Sequence, residues 1–298
     1  QMVVSMTIMS LFFNDIGLSQ AQVGITQAIF TIILVVFNVP LGKLADRFSR
    51  KGFNIFGDLM AAVGFAWYAT AASFGDAIFG EILIGFGLAM SLGVDGALMQ
   101  GYCNRFNLDF SKESSKVHTI GPVLAMAGMI IAGLLGSINL RIPLAMDAVV
   151  FATGAVLSLF IRDYNAKMPS NISLRQIIVA SLRTNKRLAA RITSLAIVRE
   201  STHAIIWLVA LVIVDANGPV WLVGIAWAVM VGSRSIGGRL SKALRNLPTA
   251  TRLAVPLGMM GVASLLCISN AWPVIMVGIA IIGAGAGYVK AVNSPILA

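Results

Sequence analysis

Charge is scarce in this sequence. Only 11% of its 298 residues are charged against 58% hydrophobic, whereas a soluble domain carries about 25% charged residues. That balance, with a mean hydropathy of +0.87, excludes water as the main solvent. Cysteine is equally sparse: Cys103 and Cys267 sit near the ends of different apolar runs, with no CxxC and no neighbouring histidine, so a metal cluster is excluded. No Ser/His/Asp set or phosphate loop is present, so neither an enzyme nor a cofactor is expected. The start at Gln1, inside an apolar stretch, lacks the basic region and cleavage site of a signal peptide. The natural N-terminus is expected to lie upstream.

Long apolar runs are what the chain does have. They cover Gln1 to Phe13, Val23 to Leu41, Phe53 to Ser73, Ala77 to Tyr102, Ile120 to Ile138 and Pro143 to Ile161. After a polar stretch come Ile192 to Val214, Val220 to Ile236, Leu253 to Ile268 and Pro273 to Ile296. A membrane core of about 30 Å needs about 20 helical residues, so these are about ten spans, the first too short to be complete. The polar stretch, 162–191, contains Leu174, Ile177, Ile178 and Leu182 opposite Arg175 and Arg183, a pattern suited to an interfacial helix. It divides the chain into bundles at 1–161 and 192–298.

The net charge of +10 reads as topology. Lys43, Arg47, Arg50 and Lys51, then Arg105, Lys112 and Lys116, then the central stretch, then Arg239, Lys242, Arg245 and Arg252 all fall on one side. The other side offers Arg141 beside Asp15, Asp76 and Asp215. Positive connectors are retained in the cytoplasm, which places the central loop there. No basic stripe is interleaved with aromatics, so nucleic acid is not an expected partner. Membrane lipids are. Asn171-Ile172-Ser173 matches a glycosylation acceptor but would face the cytoplasm.

Two segments recur across the central stretch. Gly85-Phe86-Gly87 in the fourth run matches Gly283-Ala284-Gly285 in the tenth, with Asp95 and Asn293 further on. Gly42-Lys43-Leu44 matches Gly238-Arg239-Leu240. Two six-helix halves would produce these matches, and so would the general preference of packed membrane helices for small residues.

The connector Gly42-Lys43-Leu44-Ala45-Asp46-Arg47-Phe48-Ser49-Arg50-Lys51 resembles motif A of the major facilitator superfamily, G-x-L-a-D-r-x-G-r-k. Residue types, spacing and position between two spans agree, and Ser49 departs from the usual glycine. The resemblance covers essentially the whole chain. It implies an all-α membrane bundle of two six-helix pseudo-repeats, with about ten spans present and the last two lying beyond the C-terminus. It also implies that Asp46 and Arg47, with Arg50, Lys51 and an acidic residue such as Asp95 at the end of the fourth span, latch one state of an alternating-access carrier. Gly42 would let helices approach. Where the family's motif B has an arginine, this chain has Glu81. Its motif C is only echoed by Gly121-Pro122, too early in the run for a standard drug antiporter.

Ionisable residues inside spans are costly and become functional candidates. Arg199, Glu200 and His203 can share one helix face and serve either as a titrating site or as a structural ion pair. Glu81, Leu88 and Asp95 recur every seven residues, which places both carboxylates on one face of a continuous helix, too far apart to act as a pair. Lys290 is read as binding an anion or neutralising a carboxylate such as Glu200 or Asp58. Asp58 and Arg234, near cytoplasmic ends, are expected to snorkel. Asp147, near Arg141, is expected at the wet outer surface. Met2, Met6 and Met9 with Phe12 and Phe13 would line a pliable pocket or simply pack. Trp207, Trp221 and Trp272 read as interface anchors and Trp227 as a cavity residue.

The expected function is a monomeric, proton-coupled secondary transporter of a small solute, drug or lipid-like molecule in a bacterial inner membrane. Its expected partners are lipids, that substrate and protons. The rival is a non-transporting membrane sensor or lipid-handling protein of the same fold.

Overall fold

In the computed structural model, residues 3–92, 94–164, 209–247 and 249–293 are described. Among them the chain is helical and without strands. A 3-10 turn, Ser5–Thr7, leads into α1, Met9–Asp15. Then come α2, Gln20–Arg47; α3, Arg50–Thr70; α4, Phe74–Ser91; and α5, Asp95–Arg105. After these follow α6, Phe110–Ile138; α7, Arg141–Leu159; α8, Val220–Ala243; α9, Thr249–Cys267; and α10, Trp272–Asn293.

Serines set several of these starts. Ser19 and Gln22 form a reciprocal capping box on α2, and the Ser49 and Ser73 side chains accept from the third residue of α3 and α4. Each removes an orphan donor from a helix end entering an apolar medium. Gly17, at φ 78° in the turn after α1, occupies the left-handed region where glycine alone is unstrained. Pro40, Pro122 and Pro256 lie inside helices, as neighbouring helices permit in membranes.

Among the described residues, six helical stretches are long and apolar enough to cross a bilayer: Gln20–Arg47, Phe74–Arg105, Phe110–Ile138, Arg141–Leu159, Val220–Ala243 and Trp272–Val289. Large apolar side chains such as Val35, Val123, Leu124 and Phe160 face outward. In water that surface would aggregate; in lipid it is the solvated face.

The chain forms two compact units, one of residues 1–123 and 138–170, the other of 124–137 and 171–298. In the first, α3 packs against α4 and α7, and α2 against α4. Phe12, Phe13 and Tyr68 form a buried ring cluster with centroids about 6 Å apart, and Phe65 stacks on Phe151 at 5.4 Å. Met9, Phe12 and Phe13 are therefore core residues. In the second unit α10 packs against α8 and α9.

The repeated triplets occupy equivalent seats in the two units. A Cβ at Gly85 would meet Ile33 of α2, and one at Gly87 would meet Gly57 and Ala61 of α3. Likewise Gly283 abuts Met230 and Ser233 of α8, and Gly285 faces Met259 of α9. Gly42 and Gly238 match too, but neither serves close approach: among the described residues nothing lies within 4 Å of a Cβ at either.

Candidate functional site

Among the buried carboxylates of the first unit is Glu81 on α4, 4% exposed. Its Oε1 accepts a 2.6 Å hydrogen bond from Nε2 of Gln27 on α2. The Tyr68 ring of α3 lies against Gly80, where a Cβ would come within 2.9 Å of it, and its hydroxyl donates to the Ala77 carbonyl at 2.9 Å. Three helices thus meet at one carboxylate, and Gln27, only partly buried, is its neighbour on the side of α2. Neither Gln27 nor Tyr68 was singled out in the sequence. A polar residue in an apolar run was the signal for the first; Tyr68 carried none.

The connector between α2 and α3 folds around its own charges. Asp46 accepts from Nε of Arg50 at 2.6 Å, one turn on. Lys51 Nζ donates to the Leu159 carbonyl at 2.6 Å, placing a cation at the C-terminus of α7, where the helix dipole favours it. Arg47 lies over the ring of Phe48, 5.8 Å from its centroid. Ser49 adopts φ −166°, extended backbone open to any residue, so the departure from glycine costs nothing there and adds the α3 cap.

The Major Facilitator Superfamily model matches residues 1–298. The chain belongs to the Major Facilitator Superfamily. It is 26% identical over 156 residues to the Tetracycline resistance protein, class E, of Escherichia coli, covering 50% of this chain and 36% of that protein. It is 28% identical over 107 residues to an uncharacterized transporter of Buchnera aphidicola, covering 36% of this chain and 25% of that one. The matches thus span well under half the length of these curated relatives. Among solved structures, a variant of the nucleoside transporter NupG superposes with a TM-score of 0.85 at 14% identity, covering 98% of this chain and 77% of that chain. A bacterial homolog of the human lysosomal transporter Spinster, in an inward-facing and occupied conformation, gives 0.68 at 18% identity over 99% and 71%. The superfamily fold follows, and with its apolar helices the chain is a multi-pass integral membrane protein.

Two sequence expectations need correction within this superfamily fold, those for Asp58 and Asp147. Glu81 lies on α4 and Asp95 on α5, with residue 93 between these helices outside the described residues, and Phe74–Arg105 as a whole is long and apolar enough to cross a bilayer. Asp95 stands exposed at the first position of α5. Asp58 does not snorkel; it is 3% exposed and accepts from Ser91. Asp147 is not wet. It is fully buried, its two oxygens accepting the Val4 and Ser5 amides at 3.0 and 2.8 Å.

Trp227 is buried on α8 with its indole N–H unpartnered among the described residues. Trp221 and Trp272 are exposed at helix starts. Arg199, Glu200, His203, Trp207, Met2 and the side chain of Lys290 lie outside what the structure describes.

Proposed function

We propose that this protein is a secondary active transporter moving a small solute, drug or lipid-like molecule by alternating access, coupled to protons. The observation that carries this reading is Glu81: a sealed carboxylate at a three-helix junction, touched by a half-buried glutamine, in a family member with similar proteins that are transporters by name. Intramembrane carboxylates are expensive to keep and recur in proton relays, which favours a coupling role over mere packing. Arg199, Glu200 and His203 form the second candidate coupling group, and Lys290 with Trp227 belongs to the candidate substrate set.

The proposed architecture is two six-helix halves, 1–161 and 192–298, joined by 162–191 and rocking about a midplane site. Asp46, Arg47, Arg50, Lys51 and Asp95 are the proposed latch of one state, with Gly42 in its motif. The latch would work through α7 as well as α3, because Lys51 already ties the start of one to the end of the other. The proposed setting is a bacterial inner membrane with the joining segment cytoplasmic and the protein monomeric.

Proteoliposomes with an imposed pH gradient test this, with tetracycline and uridine as first probes. Glu81→Gln should lower gradient-driven accumulation about tenfold or more while counterflow exchange persists, since exchange needs the moving bundle and not its proton cycle. Undiminished gradient-driven uptake in Glu81→Gln would overturn the coupling role. The alternative of a non-transporting sensor or lipid-handling protein draws on Glu81 standing where the family's arginine is usual; absence of counterflow across a panel of solutes, drugs and lipids would favour it.

A further inference from the structure

The second unit carries cations without carboxylates beside them in sequence. From residue 216 to residue 298 the chain has no Asp or Glu, yet Arg234, Arg239, Lys242, Arg245, Arg252 and Lys290 fall in that stretch. Arg239, Lys242, Arg245 and Arg252 gather at one end of the unit, where α8 finishes at Ala243 and α9 starts at Thr249. Both helices pack on α10, so the short connector keeps these cations at one end of the same three helices. Arg239, Lys242 and Arg245 are exposed. Arg252 is half-buried, and its Nε is buried with no acceptor among the described residues.

The corresponding connector of the first unit shows what is missing. Aligning Gly238-Arg239-Leu240 with Gly42-Lys43-Leu44 puts Lys242 where Asp46 stands and Asn246 where Arg50 stands. In the first unit Asp46 takes the Arg50 guanidinium at 2.6 Å, Lys51 donates to the Leu159 carbonyl and Arg47 lies over the Phe48 ring. Those cations are met from within the protein. In the second unit the neutralising carboxylate is replaced by another cation, and among the described residues no ion pair reaches Arg239, Lys242, Arg245 or Arg252. Like charges one helical turn apart repel, and an anion placed among them offsets that repulsion.

We infer that the cytoplasmic ends of α8 and α9 bind the headgroup of an anionic phospholipid, with Lys242, Arg245 and Arg252 around its phosphate and Arg239 on the flank. Guanidinium forks match phosphate oxygens in pairs, and lysine adds a point charge. A lipid fits better than free phosphate because Ile236 on α8 and Leu257 on α9 expose apolar side chains within two turns of Arg239 and of Arg252. A phosphate held among the cations leaves its acyl chains along that lipid-facing surface. This end is the cytoplasmic one by the bias of the basic connectors, and basic clusters there meet the anionic leaflet. A choline headgroup brings its own cation, which the cluster repels. The site is separate from Glu81 and does not depend on proton coupling.

The test uses the full chain purified in detergent, with binding of radiolabelled phosphatidylglycerol as the readout and thermal unfolding in phosphatidylglycerol against phosphatidylcholine as the second. Wild type should bind phosphatidylglycerol saturably and unfold at a higher temperature with it than with phosphatidylcholine. Arg252→Gln should weaken binding about fivefold or more, the scale of one interfacial cation. Lys242→Asp, which restores the acid of the first connector and changes two charges, should weaken it about twentyfold. Lys116→Gln, which removes a cation already paired with Glu113, should leave it unchanged. If Lys242→Asp does not fold, Lys242→Gln with Arg245→Gln carries the same expectation. No preference for phosphatidylglycerol over phosphatidylcholine, or a preference that survives the connector substitutions, would overturn the site. So would inorganic phosphate that stabilises wild type as well as the lipid does, which would make the occupant a free anion.

Discussion

Single residues here take their roles from neighbours that are distant in sequence. Asp147 and Asp58 look alike as carboxylates near span ends, yet one holds two backbone amides and the other faces a serine and a glycine. Neither contact is local, with partners more than a hundred residues away for Asp147 and more than thirty for Ser91. Ser49 is the opposite case, since its function is settled within three residues. Ser49→Ala should destabilise the protein by about 1 kcal/mol through the lost cap, whereas Ser49→Gly should cost only a few tenths. Thermal unfolding in detergent would show this ordering, and equal losses would mean that the hydroxyl does not cap α3 in solution.

At the scale of elements, the seams between helices decide where glycine is obligatory. On α8, a Cβ at Gly237 would collide with the backbone carbonyl of Ala284 and the amide of Tyr288 on α10, which cannot swing aside as a side chain can. A Cβ at the next residue, Gly238, would meet nothing within 4 Å among the described residues. Gly237→Ala should therefore push the helices apart at a cost of about 1 to 3 kcal/mol, an overpacking penalty, while Gly238→Ala should be neutral. A drop in unfolding temperature for the first substitution alone would show it. The G-x-G triplets at 85–87 and 283–285 follow the same rule and were legible as a repeat. That each triplet seats its first glycine on one partner helix and its second on another was not, because a sequence period does not name the opposing helix.

For the whole molecule, basic connectors give an orientation that can be checked directly. In a variant lacking Cys103 and Cys267, cysteine introduced at Asn139, an exposed position between α6 and α7, should react with an impermeant maleimide from outside the cell. Cysteine at Ser181, in the basic joining segment, should react only after the membrane is opened. The reverse pattern would invert the topology. Asp46 and Lys51 bear on the same scale, since the connector they occupy ties the start of α3 to the end of α7 and makes those helices one mechanical piece.

The sequence by itself determined the solvent, the all-helical fold class and the family. Hydropathy is summed over about 20 residues and is insensitive to tertiary detail, and motif A is a local string. Only the tertiary structure decided which buried polar groups have partners. Glu81 with Gln27, Asn54 with Ser158 and Asp147 with the amides of Val4 and Ser5 are pairings between separate helices or segments. In an apolar medium each polar group must find such a partner, but the choice depends on which helix faces are turned together.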